Sequence, residues 1–262
     1  MITSTSNPRI RWIRRLQSST RKRRKERVFV VEGVRLAEEA LSSGWETSLV
    51  IYSDELDGRG LTVVDRLAER GTEVFKVTPQ VMGFAADTET PQGILAVLRI
   101  HPTPVPERLS CVFIPDAIRD PGNLGTMLRT AVAAGVEAVF LPPGAVDPFA
   151  PKVVRAGMGA HFRIPIVEMG WEKLRGYFHD SHLRVVLAAA GAGLPYHQMD
   201  FDQPIALIVG GEAEGASMEA RNLVDEWVHI PMAGGAESLN AAVAASILLF
   251  EVLRQRTMIR KK

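Results

Sequence analysis

The segment Leu207-Ile-Val-Gly-Gly-Glu-Ala-Glu-Gly215 joins an apolar run to paired glycines and two acidic residues. Such a run is typical of a buried strand, and glycines let the loop after it approach a ligand closely. The loop lacks the Gly-x-Gly-x-x-Gly pattern, and no Lys-Ser or Lys-Thr follows as a P-loop requires. The segment therefore predicts a ligand-binding loop that does not bind a nucleoside triphosphate. Glu212 and Glu214 are either a carboxylate pair for acid–base chemistry or acidic residues beside a helix start.

A second loop of this kind lies upstream, in Asp120-Pro-Gly-Asn-Leu-Gly-Thr-Met-Leu-Arg129. Gly122 and Gly125 permit a sharp turn, and Asn123 is predicted to cap the helix that follows. Arg129 is expected on the second turn of that helix. A cation near a helix start is electrostatically unfavourable, which favours a role for Arg129 in binding an anion such as RNA phosphate. The alternative is a capped helix with an exposed arginine.

A third loop, Ile230-Pro-Met-Ala-Gly-Gly-Ala-Glu-Ser-Leu-Asn240, precedes a long terminal helix predicted over 238–256. Ser238 or Asn240 can cap this helix, whose first amides would then face a ligand. The helix is apolar nearly all round. This favours burial on several sides, in part against a second subunit.

Short apolar runs alternate with helical patterns throughout the second half of the chain. Strands are predicted at 111–115, 138–141, 163–167, 184–189, 205–209 and 228–230, and helices at 123–134, 148–158 and 238–256. Such alternation is typical of a mostly parallel sheet with helices on both faces, whose ligands bind at the carboxyl ends of the strands. Each of the three loops follows a predicted strand, so chemistry is expected there.

The first half is predicted to form a smaller α/β layer structure, with strands at 27–32, 45–52, 74–77 and 93–100 and helices at 33–43 and 61–70. It is followed by His101-Pro-Thr-Pro-Val-Pro-Glu107, in which alternating prolines favour an extended connector. We therefore expect a domain boundary here, with domains at 1–104 and 105–262.

Basic residues are concentrated at the amino-terminal end. Residues 1–27 contain ten lysines or arginines and one acidic residue, a net charge of +9, so the rest of a chain with net charge +1 carries −8. Ile10, Ile13 and Leu16 have helical spacing, which favours a folded amphipathic helix. This charge asymmetry favours contact with nucleic-acid phosphates. The alternative is a solvated basic face.

Other features of the composition argue against several classes of protein. Cys111 is the single cysteine, so no internal disulfide is expected, and a reducing compartment, the cytoplasm, is favoured. No apolar segment is long enough for a membrane span or forms an amino-terminal signal core. The six histidines lack accompanying metal ligands, so no metal site is expected. The absence of a Gly-x-Ser-x-Gly elbow argues against a hydrolase.

Together the three loops resemble, in order and spacing, the three motifs of the SpoU/TrmH family within the SPOUT methyltransferases. The first motif, Asn-x-Gly-x-x-x-Arg, is matched by Asn123, Gly125 and Arg129, and the second, Gly-x-Glu-x-x-Gly, by Gly210, Glu212 and Gly215. The third is matched by Ile230, Pro231, Met232, Ser238, Leu239 and Asn240. Upstream, segments 2–9, 29–33 and 91–94 resemble the L30e/L7Ae-type substrate-binding domain of many members.

The resemblance implies transfer of the methyl group of S-adenosylmethionine to a ribose 2′-hydroxyl of RNA, with S-adenosylhomocysteine as product. It also implies a trefoil knot in the catalytic domain and a homodimer with its active site at the knot and the dimer interface. Where many members continue the third motif with Val-Ser, this chain has Ala241-Ala242. We expect a preserved fold with altered packing around the cofactor or the partner helix.

The resemblance further implies roles for individual residues. The cofactor is expected among Gly210, Ile230, Met232 and Leu239. Arg129 is expected beside the RNA phosphate and the target ribose, with Asn123, Glu212, Ser238 and Asn240 arranging the site. RNA contacts are expected from Arg9, Arg11, Arg14, Arg21, Lys22, Arg23 and Arg24. Because a guanidinium keeps its proton in proteins, Arg129 is interpreted as an electrostatic stabiliser rather than as the base.

The expected substrate is 23S ribosomal RNA. Methylation of transfer RNA, and a catalytically silent protein that binds ribosomal RNA or assists ribosome assembly, are the alternatives. The sequence specifies neither the nucleotide nor the proton acceptor, and it does not distinguish housekeeping modification from antibiotic resistance.

Overall fold

The computed structural model describes residues 1–211 and 215–259. The chain groups into two units, Met1–His101 with Phe149–Arg163, and Pro102–Pro148 with the residues from Ile164 onward. Each unit has its own sheet and its own apolar core. No helix among the described residues is long and apolar enough to cross a membrane.

The first unit is built on a four-stranded sheet. Its elements before residue 101 are α1 (Pro8–Ser18), α2 (Thr20–Glu26), β1 (Val28–Glu32), α3 (Val34–Ser42), β2 (Thr47–Tyr52), α4 (Gly58–Glu69), β3 (Glu73–Lys76), α5 (Pro79–Ala85) and β4 (Ile94–Arg99). Strand β4 lies between β1 and β2 and is antiparallel to both, while β3 pairs in parallel with β2. Helices α3 and α4 cover one face of the sheet, and α1 and α5 cover the other. The strands predicted for this half are confirmed.

The basic amino-terminal segment folds as two helices. The Asn7 side chain accepts a hydrogen bond from the Arg9 amide at 2.9 Å and so caps α1. Ile10, Ile13 and Leu16 are fully buried under the sheet, which confirms the amphipathic helix predicted from their spacing. The charged run that follows lacks apolar periodicity and forms the separate helix α2, whose start is capped by Ser19.

The second unit contains a seven-stranded parallel sheet. From residue 111 the elements are β5 (Cys111–Asp116), α6 (Pro121–Ala133), β6 (Ala138–Leu141), α7 (Pro151–Gly157), β7 (Ile166–Glu168), α8 (Trp171–Asp180), β8 (Arg184–Ala188), β9 (Leu194–Pro195), β10 (Ile205–Gly210), α9 (Met218–Arg221), β11 (Glu226–His229) and α10 (Ala241–Ile259). The strand order is β7-β6-β5-β10-β8-β11-β9. The predicted parallel sheet is confirmed. Its order reverses between β5 and β10, the place where ligands bind in open α/β sheets.

Helix α7 and its flanking residues group with the first unit, although they follow the proline-rich connector in sequence. The Phe149 ring lies 5.0 Å from that of Phe29, and Phe162 lies 5.3 Å from Trp45, measured between centroids. Arg155 also forms an ion pair with Asp87 at 2.8 Å. Aromatic and ionic contacts therefore attach residues 149–163 to this unit. The predicted domains, 1–104 and 105–262, are each continuous in sequence, whereas the first unit also includes residues 149–163.

The end of β5 carries a buried acidic side chain. Asp116 is fully buried, and its Oδ2 accepts a hydrogen bond from the backbone N–H of Ser217 at 2.6 Å, directly before α9. Its Oδ1 is also buried, without a hydrogen-bond partner in the described part of the chain. Burial raises the pKa of the Asp116 carboxyl, while hydrogen bonds from Ser217 oppose this shift. The carboxylate thus ties β5 to the loop before α9 at an electrostatic cost.

We expect Asp116→Asn to remove this cost while leaving an oxygen that can accept the Ser217 hydrogen bond. Because folding raises the pKa of Asp116, the folded chain holds this proton more tightly than the unfolded chain does. The resulting stabilisation is lost as the pH rises above the ordinary value of 3.8. The wild-type free energy of unfolding should therefore fall relative to that of Asp116→Asn over this range, then level off.

Urea unfolding at a series of pH values measures the difference. Asp202→Asn, the same change at an exposed position, is the control and should show no such trend. If the wild type and Asp116→Asn had parallel pH profiles, the electrostatic cost assigned to Asp116 would be wrong.

Candidate active site

A cavity of about 620 Å³ lies in the second unit where four chain segments meet. The first segment is the end of β8 with the residues after it (188–193), and the second is the end of β10 with part of its loop (209–211 and 215–216). The third is β11 from residue 227 with the residues after it (227–232). The fourth segment, 238–244, contains the start of α10. Three of the four walls are therefore built at the carboxyl ends of neighbouring parallel strands, where the sequence predicts a ligand site.

All four residues expected to hold a cofactor line this cavity, namely Gly210, Ile230, Met232 and Leu239. Ser238, expected to arrange the site, lines it as well. Most other lining residues are glycine, alanine or valine. The walls therefore suit a flat or apolar ligand that approaches the backbone closely.

Two glycines let backbone segments pass each other at this cavity. A Cβ on Gly210 would lie 2.4 Å from the amide nitrogen of Ala216, and one on Gly193 would lie 1.9 Å from the carbonyl oxygen of Trp227. Neither position has room for a side chain. Gly210, the last residue of β10, is therefore required because the loop that follows returns onto it at Ala216, whether or not a ligand also approaches.

The structure brings together two asparagines from the first and third motifs. The Asn240 side-chain amide donates to Oδ1 of Asn123 at 3.1 Å. The Asn240 Oδ1 accepts from the amides of Ala242 and Val243, so this residue caps α10 as predicted. A hydroxyl contact of 3.2 Å between Thr130 and Ser246 also joins α6 to α10. The two motifs are therefore held together by side-chain hydrogen bonds.

The start of α6 differs from the prediction. Asp120, not Asn123, is the cap, since its Oδ1 accepts from the Asn123 amide at 2.8 Å. Pro121 occupies the first helical position, where no N–H donor is needed. Arg129 is consequently the ninth of thirteen helical residues. It lies beyond the first turns, so the expected dipole penalty, and the argument for an anion built on it, are wrong.

Arg129 itself is exposed on α6 and makes no hydrogen bond or ion pair with any described residue. The structure does not attach it to the Asn123–Asn240 pair. An exposed guanidinium without a partner can bind an anion from solution. Its predicted contact with RNA stays a prediction.

Two other predicted features have different outcomes. Glu212, together with Glu214, lies outside the described residues, so its place in the site stays a prediction. Ala241 and Ala242 are both buried at the start of α10, and Ala241 lines the cavity. The two alanines, which stand where many family members have Val-Ser, therefore adjoin the cavity.

The basic residues expected to bind RNA are not equivalent. Arg9 forms an ion pair with Glu73 at 3.2 Å, and Arg14 donates to the carbonyl of Ala86 at 2.9 Å. Lys22 forms an ion pair with Glu26. Arg11 and Arg21 are exposed and have no such contact among the described residues, and Arg24 is exposed near them. The exposed arginines of α1 and α2 are thus the candidates for contact with phosphates.

Arg23 has a structural role in place of the predicted RNA contact. Its side chain is buried, and Nη1 donates to the carbonyls of Leu16 and Gln17 at the end of α1. Nη2 donates to the hydroxyl of Thr20 at 3.0 Å. The guanidinium therefore satisfies carbonyls that the end of α1 leaves without helical donors. A basic residue type alone did not distinguish this buried position from its exposed neighbours.

The lining residues that were not predicted from the sequence include three with large polar or aromatic side chains. Arg221 at the end of α9, and Trp227 and His229 on β11, all line the cavity. None belongs to a motif. The adjacency of β11 to β8 brings Trp227 and His229 to the cavity, and the guanidinium carbon of Arg221 lies 6.0 Å from the Trp227 ring centroid. No group of three or more metal-ligating side chains occurs among the described residues.

Comparisons with known proteins agree with this geometry. Residues 110–250 match the model of the SpoU rRNA methylase family, and residues 7–96 match that of the MRM3-like substrate-binding domain. The chain is 34% identical to a 23S rRNA (guanosine(2553)-2′-O)-methyltransferase, RlmP, of Bacillus subtilis, covering 96% of this chain and 98% of that protein. It is 32% identical to the human mitochondrial rRNA methyltransferase 3, covering 89% of this chain and 69% of the relative.

Solved structures show the same likeness. An AdoMet-bound rRNA methyltransferase from Sinorhizobium meliloti superposes with a TM-score of 0.87 at 31% identity, covering 97% of each chain. The SpoU methyltransferase AviRb from Streptomyces viridochromogenes, in complex with AdoMet, also gives 0.87, at 29% identity over 96% of this chain and all of that one. These matches confirm the resemblance inferred from the three loops. The chain belongs to the SpoU rRNA methylase family.

Proposed function

We propose that the protein methylates a ribose 2′-hydroxyl of ribosomal RNA, using S-adenosylmethionine and releasing S-adenosylhomocysteine. The observation that carries this proposal is the cavity at the carboxyl ends of the parallel strands, lined by Gly210, Ile230, Met232 and Leu239. The relatives named above support ribosomal RNA over transfer RNA as the substrate class. An assay of methyl transfer to ribosomal and transfer RNA tests both alternatives, methylation of transfer RNA and a catalytically silent protein that binds ribosomal RNA.

The cavity fits the methyl donor in size and in chemistry. About 620 Å³ is within the range of small-molecule sites, which runs to roughly 1,000 Å³. Small and apolar walls suit an adenine ring and an aliphatic chain. Gly210 and Leu239 would contact the ligand from two different segments, and Ile230 and Met232 from the segment after β11.

The reaction requires alignment of the RNA with the bound donor and stabilisation of negative charge on the ribose oxygen. S-adenosylmethionine supplies, when bound, a methyl group activated by a positively charged sulfur. Arg129 carries a guanidinium, a permanent cation in proteins, so it binds the RNA phosphate and stabilises negative charge that develops on the 2′-oxygen. The hydrogen bond between Asn123 and Asn240 joins the starts of α6 and α10, and the hydroxyl contact of Thr130 with Ser246 joins the two helices next to Arg129. These contacts hold the helix that carries Arg129. Glu212 and Ser238 complete the proposed arrangement.

We expect Arg129→Ala to lower methyl transfer by about 100-fold or more, since it removes a charged stabiliser of the transition state. Arg129→Lys should recover little of this activity, because an ammonium does not reproduce the planar two-point contact. The assay measures labelled methyl incorporation into rRNA and tRNA from a strain that lacks the protein, followed by mapping of the 2′-O-methyl position.

The control is Arg175→Ala, which removes an exposed arginine from α8 and should leave incorporation unchanged. Near-normal turnover of Arg129→Lys would contradict the two-point role. Incorporation into tRNA alone would replace the proposed substrate. Tight rRNA binding without any binding of the donor would support the catalytically silent alternative.

We also propose that the exposed arginines of α1 and α2 hold the RNA through its phosphates. Arg11 and Arg21 carry this role most directly, since neither has an ion-pair or hydrogen-bond partner among the described residues. Arg24 is exposed beside them, while the paired Arg9, Arg14 and Lys22 contribute less. The match of 7–96 to a substrate-binding domain supports this assignment. We retain 1–104 and 105–262 as the proposed limits of the RNA-binding and catalytic domains.

The double variant Arg11→Ala/Arg21→Ala should bind RNA more weakly and with a lower salt dependence. Each lost phosphate contact lowers the slope of log K against log salt by about 1. RNA binding measured at several salt concentrations gives this slope. Lys173→Ala/Arg175→Ala, which removes two exposed charges from α8, is the matched control. An equal effect of both pairs would indicate a non-specific response to net charge.

We further propose that the protein is a homodimer joined through α10. The inner face of this helix is buried in its own unit, yet Val243 and Phe250 are 47% and 48% exposed on the opposite face. They are seven residues apart, with Ile247 between them, so they form one stripe. An exposed apolar stripe on the helix that begins at the cavity fits a second copy, as the family resemblance implies.

We expect Val243→Glu/Phe250→Glu to yield a monomer, because two carboxylates would be desolvated in the interface. Light scattering coupled to gel filtration gives the mass. Met218→Glu, at a residue 67% exposed on α9, is the matched control and should remain dimeric. A wild-type protein that elutes as a monomer at all concentrations would contradict the proposal.

We also propose that the protein is located in the cytoplasm and that its catalytic domain contains a trefoil knot. The single cysteine is buried, and burial raises the pKa of the Cys111 thiol to about 11, which suits a protein of a reducing compartment. The close backbone crossings at Gly193 and Gly210 support the trefoil knot implied by the family resemblance.

A further inference from the structure

Arg221 is the one lining residue with a permanent charge among the described residues of the cavity. It ends α9, and its Nε donates to the carbonyl of Ala216 at 3.1 Å. The guanidinium carbon lies 6.0 Å from the centroid of the Trp227 ring. Since Ala216 and Trp227 also line the cavity, two of its walls hold the guanidinium in place.

These contacts leave most of the guanidinium available. The hydrogen bond to Ala216 uses Nε alone, and neither terminal nitrogen donates to a described residue. A Cβ on Gly215 would lie 3.5 Å from Nη2, so the absence of a side chain at that position leaves space beside it. Two N–H groups on a fixed planar fork match a carboxylate.

The proposed cofactor offers such a group. S-adenosylmethionine carries one carboxylate, at the end of its methionine part, and its adenosine is uncharged. None of the described residues that line the cavity is acidic, so none of them neutralises the charge of Arg221. The remaining walls suit the adenosine and the methylene chain of the methionine part.

We propose that Arg221 binds the carboxylate of S-adenosylmethionine and thereby orients the methionine end of the cofactor. This assignment rests on the proposed function, because it requires that the cavity binds the methyl donor. It gives the cofactor site a charged contact in addition to the backbone and apolar contacts implied by the family motifs. The alternative is a structural role, in which Arg221 only packs on Trp227 and supports the loop at Ala216.

Ligands that differ in one group separate the two roles. Calorimetry on the full-length protein compares S-adenosylmethionine, S-adenosylhomocysteine and decarboxylated S-adenosylmethionine, which lacks only the carboxylate. Arg221→Ala should weaken binding of the first two by about 10- to 100-fold, the range for a hydrogen-bonded charge. Its affinity for the decarboxylated ligand should change by less than about twofold.

Arg221→Lys keeps the charge and should recover part of the lost affinity for S-adenosylmethionine, with the decarboxylated ligand again unaffected. This variant also tests the proposal if Arg221→Ala does not fold. Arg175→Ala is the matched control and should bind all three ligands like the wild type.

Equal weakening for all three ligands would overturn the proposal in favour of the structural role. Unchanged binding of all three would show that Arg221 does not contact the cofactor. A wild-type protein that bound none of them would refute the proposed function itself, a result distinct from either failure of Arg221.

Discussion

The cavity exists because two pairs of backbone segments pass each other with no space for a side chain between them. At Gly210 the loop after β10 returns onto its own strand, and at Gly193 the loop after β8 crosses β11 beside Trp227. Real Cβ contacts are never as short as those a larger residue would make there, so any substitution must move backbone. Since those same loops form the walls, the shape of the cavity depends on these two glycines.

The buried carboxylate of Asp116 is unfavourable electrostatically, but it fixes the position of a loop next to the cavity. The Asp116 carboxylate is buried at the carboxyl end of β5, with one oxygen on the Ser217 amide and the other without a described partner. An apolar residue there would leave the Ser217 amide without its acceptor. The carboxylate thus fixes the end of the loop that begins at Gly210. Asn240 has the matching role on α10, since it caps the helix and also binds Asn123.

Periodicity and glycine positions were enough to predict the four strands of the first sheet, six of the seven strands of the second and the three loops, because most strands are short apolar runs bounded by turn residues. The two-residue strand β9 was missed, since it is too short to show a pattern. These patterns could not predict α2, whose residues are held by Arg23 and its carbonyl partners rather than by an apolar stripe. The cap of α6 was misassigned because Asp120 and Asn123 are both good caps, and Pro121 decides between them. Attachment of 149–163 to the first unit depends on aromatic contacts distant in sequence, which no local pattern encodes.

Three arginines of this chain show why residue type alone does not assign function. Arg23 is buried, and its terminal nitrogens donate to two backbone carbonyls and the Thr20 hydroxyl, so it is not available to RNA. Arg221 donates through Nε to a backbone carbonyl and lies 6.0 Å from the Trp227 ring centroid, which leaves its two terminal nitrogens available at the wall of a small cavity. Arg129 is exposed on α6 without a described partner, so an external anion must orient it. The first arrangement stabilises a fold and the second suits a small ligand of fixed shape. The arrangement of Arg129 suits a large, mobile polyanion such as RNA, because its side chain is free to adopt the conformation that the bound phosphate requires.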